Sequence, residues 1–222
     1  MMELPFTTDQ FLELFKTYNT SIWPAQVVAY LMGGLSIYLA FQKTGGSDRM
    51  ISLILSAFWL WMGTIYHLTF FTSINTAAYG FGTLFIIQGL LFLGVGVWKK
   101  QLKFQLKRDV YGFTGAILIL YAMVIYPLIG AQLGHGYPYA PMFGVTPCPA
   151  TIFTFGILLW TAVKVPWWIL LIPGIWSVIG FTAAIKLGIL EDTGLFVAGI
   201  LGIILLSVKK GKEAQPLINK IT

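Results

Sequence analysis

Apolar residues run through this chain in long, nearly unbroken blocks, not in the alternation of a half-buried strand or the one-sided stripe of a soluble helix. Seven such blocks cover about 22–42, 50–71, 78–98, 111–133, 149–164, 167–187 and 193–208. A helix crosses a bilayer core with roughly 17–25 apolar residues, so the pattern predicts an all-α integral membrane protein with seven transmembrane helices. Only residues 7–18 carry a one-sided stripe. Phe11, Leu12, Phe15 and Tyr18 recur on one helical face, and Thr7 with Gln10 fits a capping box. A short N-terminal helix lying along the membrane interface is expected there.

Composition strengthens this reading: 57% of the residues are hydrophobic and 10% are charged, against about 45–50% and about 25% in soluble domains. The net charge of +6 would suit nucleic acid, but its distribution argues for topology. Lys43, Arg49, Lys99, Lys100, Lys103, Lys107, Arg108, Lys164, Lys209, Lys210, Lys212 and Lys220 fall on one side of the predicted spans, and only Lys16 and Lys186 on the other. By the positive-inside bias the N-terminus is outside and the C-terminus cytoplasmic, as an odd number of spans requires. The expected partner is the lipid bilayer, with no nucleic acid. The acidic leader MMELPFTTDQ lacks the basic start of a cleavable signal peptide, which places the chain in the inner (plasma) membrane as a multi-pass protein. Cys148 is the single cysteine, so no intrachain disulfide and no CxxC module exists.

An internal repeat organises the blocks. Laying 59–90 over 176–207 pairs Trp59 with Trp176, Gly63 with Gly180, Thr76 with Thr193 and Gly82 with Gly199; Trp23-Pro24-Ala25 falls on Cys148-Pro149-Ala150. The predicted plan is a 3+1+3 parallel repeat. Residues 1–20 form the interfacial helix, 21–100 the first three-helix unit, and 101–133 a cytoplasmic loop and linker span. An external connector (134–149), the second unit (150–210) and a cytoplasmic tail (211–222) follow. Three spans reverse direction, so only an odd linker restores the orientation of the second unit. In topology alone this resembles the SWEET sugar facilitators. The stretches WPAQ (23–26), WLWMGTIYH (59–67), INTAAYGFG (74–82) and GHGYPYAPMFGVTPCPATIFTFG (134–156) together resemble a bacterial family of multi-pass membrane proteins of unknown function. That resemblance implies a membrane location and no activity.

Sorted by side, the polar residues gather in the predicted outer half. His67, Trp59, Asn75, Gln88, Trp176 and Asp192 are the candidate solute-binding residues, because polar groups inside a membrane are costly and aromatic walls at a repeat boundary would frame a pocket. His135, Cys148 and Glu191 are the candidate metal ligands, although no close pair spacing supports them. Each has a structural alternative: Glu191 and Asp192 as a helix N-terminal cap, Gln88 as an interhelical bond, the tryptophans as packing. Span five is short, about 24 Å at roughly 1.5 Å per residue against a core near 30 Å. Its flanking connector is therefore expected to sink below the outer surface, where non-helical backbone must be buried in protein or line a wet cavity.

No catalytic signature such as GxSxG or HExxH occurs, and no cofactor can be named. The first expectation is a non-enzymatic protein that binds or transports a small solute between two three-helix units. The rivals are an outward-facing membrane enzyme or metal-handling protein using His67, His135, Cys148, Glu191 and Asp192, and a membrane scaffold without a ligand.

Overall fold

The computed structural model describes residues 4–209. The start of the leader (1–3), Lys210, Lys212, Lys220 and the expected tail 211–222 lie outside the described residues. The described residues form eight helices: α1 (Thr8–Ser21), α2 (Ala25–Phe41), α3 (Ser47–Ser73), α4 (Ala78–Trp98), α5 (Val110–Gln132), α6 (Pro147–Leu159), α7 (Trp167–Leu187) and α8 (Leu190–Val208). Five of them, α3, α4, α5, α7 and α8, are long and apolar enough to cross a bilayer, and α1 with α2 would make a sixth if that pair, bent by 83°, is one span. Among the described residues the only strand-like pairing is an isolated antiparallel bridge, Phe104–Thr161.

Large apolar side chains cover much of the exterior of the helices. Leu31, Phe113, Ile185 and Val208 are each more than 60% exposed, which water would penalise and lipid would not. The helices then need another reason to associate, and small residues supply it by letting backbones approach. A Cβ on Gly63 of α3 would lie 2.9 Å from the Gly82 carbonyl of α4, and one on Gly82 would lie 2.9 Å from the Gly63 carbonyl. Gly115 of α5 and Gly156 of α6 make the same mutual approach. In α7 and α8, Gly180 abuts Leu195 and Gly199 abuts Ser177. The glycines aligned between the two halves of the sequence thus sit at the same crossing, second helix against third.

The two halves are packed differently around those crossings. In the first, α3 is the middle element, packed on α2 and on α4; in the second, α6 is central and packs on α5, α7 and α8. Apart from half-buried Cys148, every residue of α6 is buried. Its 13 residues span about 20 Å, and protein closes both of its ends. At one end residues 140–147 are buried except for half-buried Met142, with Phe143 wedged against Tyr30, Phe58 and Phe153. At the other, the loops after α4 and α6 are stitched together: Gln105 N–H donates to the Trp160 carbonyl and Ala162 N–H to the Lys103 carbonyl.

Basic residues collect at that second end. Lys103 pairs with Asp48 at 3.4 Å, and Lys209 Nζ donates to the Leu159 carbonyl at 2.6 Å while lying 4.7 Å from the Tyr111 ring centre. Burial pushes the Lys209 ammonium down from 10.5 to about 8, opposed by Asp109.

At the opposite end α1 folds back onto the bundle. Its capping box forms as expected: Thr7 Oγ1 accepts from Gln10 N–H, and Gln10 Oε1 accepts from Thr7 N–H. The buried face differs from the one the apolar stripe suggests. Leu14 and Asn19 are buried with Phe15 and Tyr18, while Leu12 is only half-buried. The reason is that α1 docks on protein and not on lipid alone. The Asn19 amide donates to the Pro138 and Ala140 carbonyls, Tyr18 Oη donates to the Val145 carbonyl, and Trp61 Nε1 donates to Tyr18 Oη.

Candidate functional site

Beneath α1, where α3, α4, α6, α7 and the start of α8 meet, lies a cavity of about 140 Å³. Phe6, Phe11 and Phe15 line its α1 side; Tyr66, Phe71 and Phe81 of α3 and α4 line a second wall. Trp176, Gly180 and Ala183 of α7 form the third, and Thr146 and Cys148 at the start of α6 the fourth. Asp192 is the one carboxylate among the lining residues, and exposed Lys186 stands at the rim.

Asp192 is set by the start of α8. It occupies the N-cap position, yet its side chain makes no capping bond, so the capping alternative does not describe it. The carboxylate turns instead into the protein, where Tyr126 Oη of α5 donates to Oδ1 at 2.5 Å. The Cys148 thiol also hydrogen-bonds it, and the Trp176 indole lies against the Cys148 sulfur. Trp176 Nε1 has no hydrogen-bond partner among the described residues. The cavity therefore offers one anionic acceptor and one unpaired N–H donor inside aromatic walls.

The other candidate residues are distributed around this core. Asn75 lines the cavity, and its Oδ1 accepts from Ala77 N–H at 3.0 Å, closing the turn into α4. His67 lies on a π-helical stretch of α3, Met62–Phe70, fully buried against Phe85 (4.7 Å), Tyr66 (5.1 Å) and Trp176 (5.3 Å). Such wider turns often mark functional positions. Neither ring nitrogen has a partner among the described residues, and the ring is one aromatic layer behind the cavity wall. Trp59 and Trp176 do not face each other: Phe85 lies between them, 4.5 Å from Trp59 and 5.0 Å from Trp176. Trp59 Nε1 donates to Thr154 Oγ1 across the α3–α6 contact, and only Trp176 reaches the cavity. Gln88 is buried deeper, where its amide donates to the Ile169 carbonyl of α7.

The three candidate metal ligands divide. His135 Nδ1 approaches Glu191 Oε1 at 3.3 Å, without hydrogen-bond alignment. Cys148 stands on the Asp192 side. Among the described residues no group of three His, Cys, Asp or Glu side chains converges as a metal site would require. Tyr121 Oη donates to the Glu191 carbonyl at 2.7 Å, so α5 holds both halves of the acidic pair, through Tyr121 and Tyr126.

Tyr126, Tyr66 and the α1 phenylalanines are members of the site that the sequence reading did not single out. Tyr126 lies in an apolar block next to Pro127, and no local pattern ties it to Asp192, 66 positions on. For Phe11 and Phe15 a signal existed in the amphipathic stripe, which indicates a buried face but not what covers it.

This arrangement defines a class: an all-helical bundle, compatible with a bilayer, that encloses a small aromatic cavity at the end opposite most of its lysines. Within that class the chain belongs to the family of unknown function DUF6064, whose match covers residues 8–215. No curated protein and no solved structure matches it.

Proposed function

We propose that this is a seven-span inner-membrane protein, N-terminus outside and C-terminus cytoplasmic, which binds or moves a small solute through the cavity between its two three-helix units. The observation that carries the reading is the cavity itself, with Asp192 and the unpaired Trp176 indole among aromatic walls. An unfilled apolar void needs no carboxylate, and a carboxylate needs a partner. Two further features support it. The glycines aligned between the halves occupy the same crossings, as a parallel repeat would have them, and sites of repeat-built transporters lie between the repeats. The loops bearing most cations meet at one end and the cavity lies at the other, so the positive-inside bias would open the site outward. The enzyme and metal-handling alternatives have less support, since His67 and His135 do not line the cavity with Asp192.

The test is thermal unfolding of the detergent-purified protein against a panel of small amines, acids, polyols and rings. Ligands that fit are expected to raise the melting temperature in a saturable manner. Ala183→Phe, which puts a ring into the cavity, should abolish that rise while the protein stays folded. A panel response identical in Ala183→Phe would refute the site.

A further inference from the structure

Resting on that reading, we infer that the ligand is a small organic cation of the hydroxyalkylammonium type, its ammonium set against the aromatic walls and Asp192 and its hydroxyl on Trp176.

Size comes first. A cavity of about 150 Å³ in an apolar protein core accommodates benzene, and this one is about 140 Å³, so the buried part of the ligand has about five to seven heavy atoms. Charge comes second. Asp192 is 4% exposed and borders the cavity, and a carboxylate so far from water is stabilised by a cation or by hydrogen bonds. Tyr126 supplies one bond, to Oδ1, from the side of α5, and the Cys148 thiol a second from the start of α6; both orient the group without supplying a positive charge. A cationic ligand would add the missing charge.

The walls decide what kind of cation. A hard metal ion needs several oxygen ligands, whereas the surfaces here are the rings of Tyr66, Phe71, Phe81 and Trp176. Aromatic rings with one carboxylate are the setting in which alkylated ammonium groups are held, their methyls in contact with ring carbon. The remaining donor is only weakly engaged: Trp176 Nε1–H, on a side chain 8% exposed, has the Cys148 sulfur, a poor acceptor, beside it and no aligned hydrogen bond among the described residues. A hydroxyl a few bonds from the ammonium meets it, and an alkylammonium without an acceptor does not. Lys186 at the exposed rim bears the same sign as such a ligand, and its exposure to solvent screens that charge.

Isothermal titration at pH 8 with four probes tests this: choline, tetramethylammonium, glycine betaine, and 3,3-dimethylbutan-1-ol as the neutral shape-mimic of choline. Choline is expected to bind at least about tenfold more tightly than the neutral mimic and more tightly than betaine. Asp192→Asn should weaken choline at least about tenfold and leave the neutral mimic unchanged. Trp176→Phe keeps a ring but removes the N–H. It should weaken choline about threefold or more and leave tetramethylammonium within about twofold.

Equal or tighter binding of the neutral mimic, or tightest binding of betaine, would overturn the cation assignment while leaving a solute site in place. Binding of none of the four, alongside a panel response lost in Ala183→Phe, would likewise overturn it and keep the site. If Asp192→Asn does not fold, the Trp176→Phe contrast between choline and tetramethylammonium decides, and equal losses for both would overturn the hydroxyl assignment.

Discussion

At the scale of single residues, the sharpest question concerns His67. A buried histidine with two unpaired nitrogens is costly, because each buried polar atom forgoes its bonds to water. Yet the ring does not reach the cavity; Trp176 and Phe81 stand in front of it, 5.3 and 5.9 Å away. Its role is then to pack behind the cavity wall and hold Trp176 and Phe81 in place. His67→Phe should fit the surrounding rings, raise stability by about 1 kcal/mol by removing unpaired atoms, and leave choline affinity within about twofold. Thermal unfolding in detergent and the same titration check this. Loss of binding in a folded His67→Phe protein would instead place the imidazole on the ligand's path. The acidic pair separates in the same way. Glu191 is turned toward His135 and Asp192 toward Tyr126, so two adjacent carboxylates serve different surroundings, and only Asp192 meets the cavity.

At the scale of the elements, backbone approach decides which helices belong together. A Cβ on Gly156 would lie 2.8 Å from Ile119 Cγ1 and 2.9 Å from the Gly115 carbonyl, whereas one on Gly34 would meet nothing within 4 Å. Gly156→Ala should therefore force α5 and α6 apart at a cost of about 1–3 kcal/mol, seen as a melting point several degrees lower, and Gly34→Ala should leave it unchanged. A Gly156→Ala protein as stable as the parent would mean that this crossing is not tight. The same contrast explains what could be read from the chain. Each of the seven apolar blocks holds a helix, although the one in 149–164 stops at Leu159, and Thr7 and Gln10 cap α1 as their spacing indicates. Hydropathy registers where a helix is apolar but not whether lipid or protein surrounds it. Nothing in PCPATIFTFGILL distinguishes α6, encased on all sides, from α8, which leaves Val197, Ile200, Ile204 and Val208 exposed. The π-helical turn under His67 and the Tyr126–Asp192 bond depend on packing between segments far apart in sequence, which no local period records.

For the whole molecule, the open issue is whether α6 completes a crossing. Five or six helices meet the length of a bilayer, and α6, with 13 residues, does not. The orientation, the count of seven and the outward position of the cavity all depend on it. The packing supplies an argument that length does not. The loop after α6 is bonded to the loop after α4 through Ala162 and Gln105, so Lys164 lies at the same end of the bundle as Lys103. The loop before α6 is bonded to α1 through Asn19 and Tyr18, at the opposite end. On the proposed seven-span reading, a helix joining these two ends would connect the two sides of the membrane, with protein at its termini covering the missing depth. Single cysteines introduced in a Cys148→Ser background test this on intact cells with an impermeant maleimide. Tyr137→Cys, on an exposed part of the connector, should label from outside. Gly45→Cys, in the exposed loop between α2 and α3, and Lys164→Cys should label only after lysis. Labelling of Lys164→Cys together with Tyr137→Cys from outside would make α6 a re-entrant segment and reduce the count to six. Labelling of Gly45→Cys and Lys164→Cys alone would reverse the orientation and place the aromatic cavity on the cytoplasmic side, where a cation would reach it from within the cell.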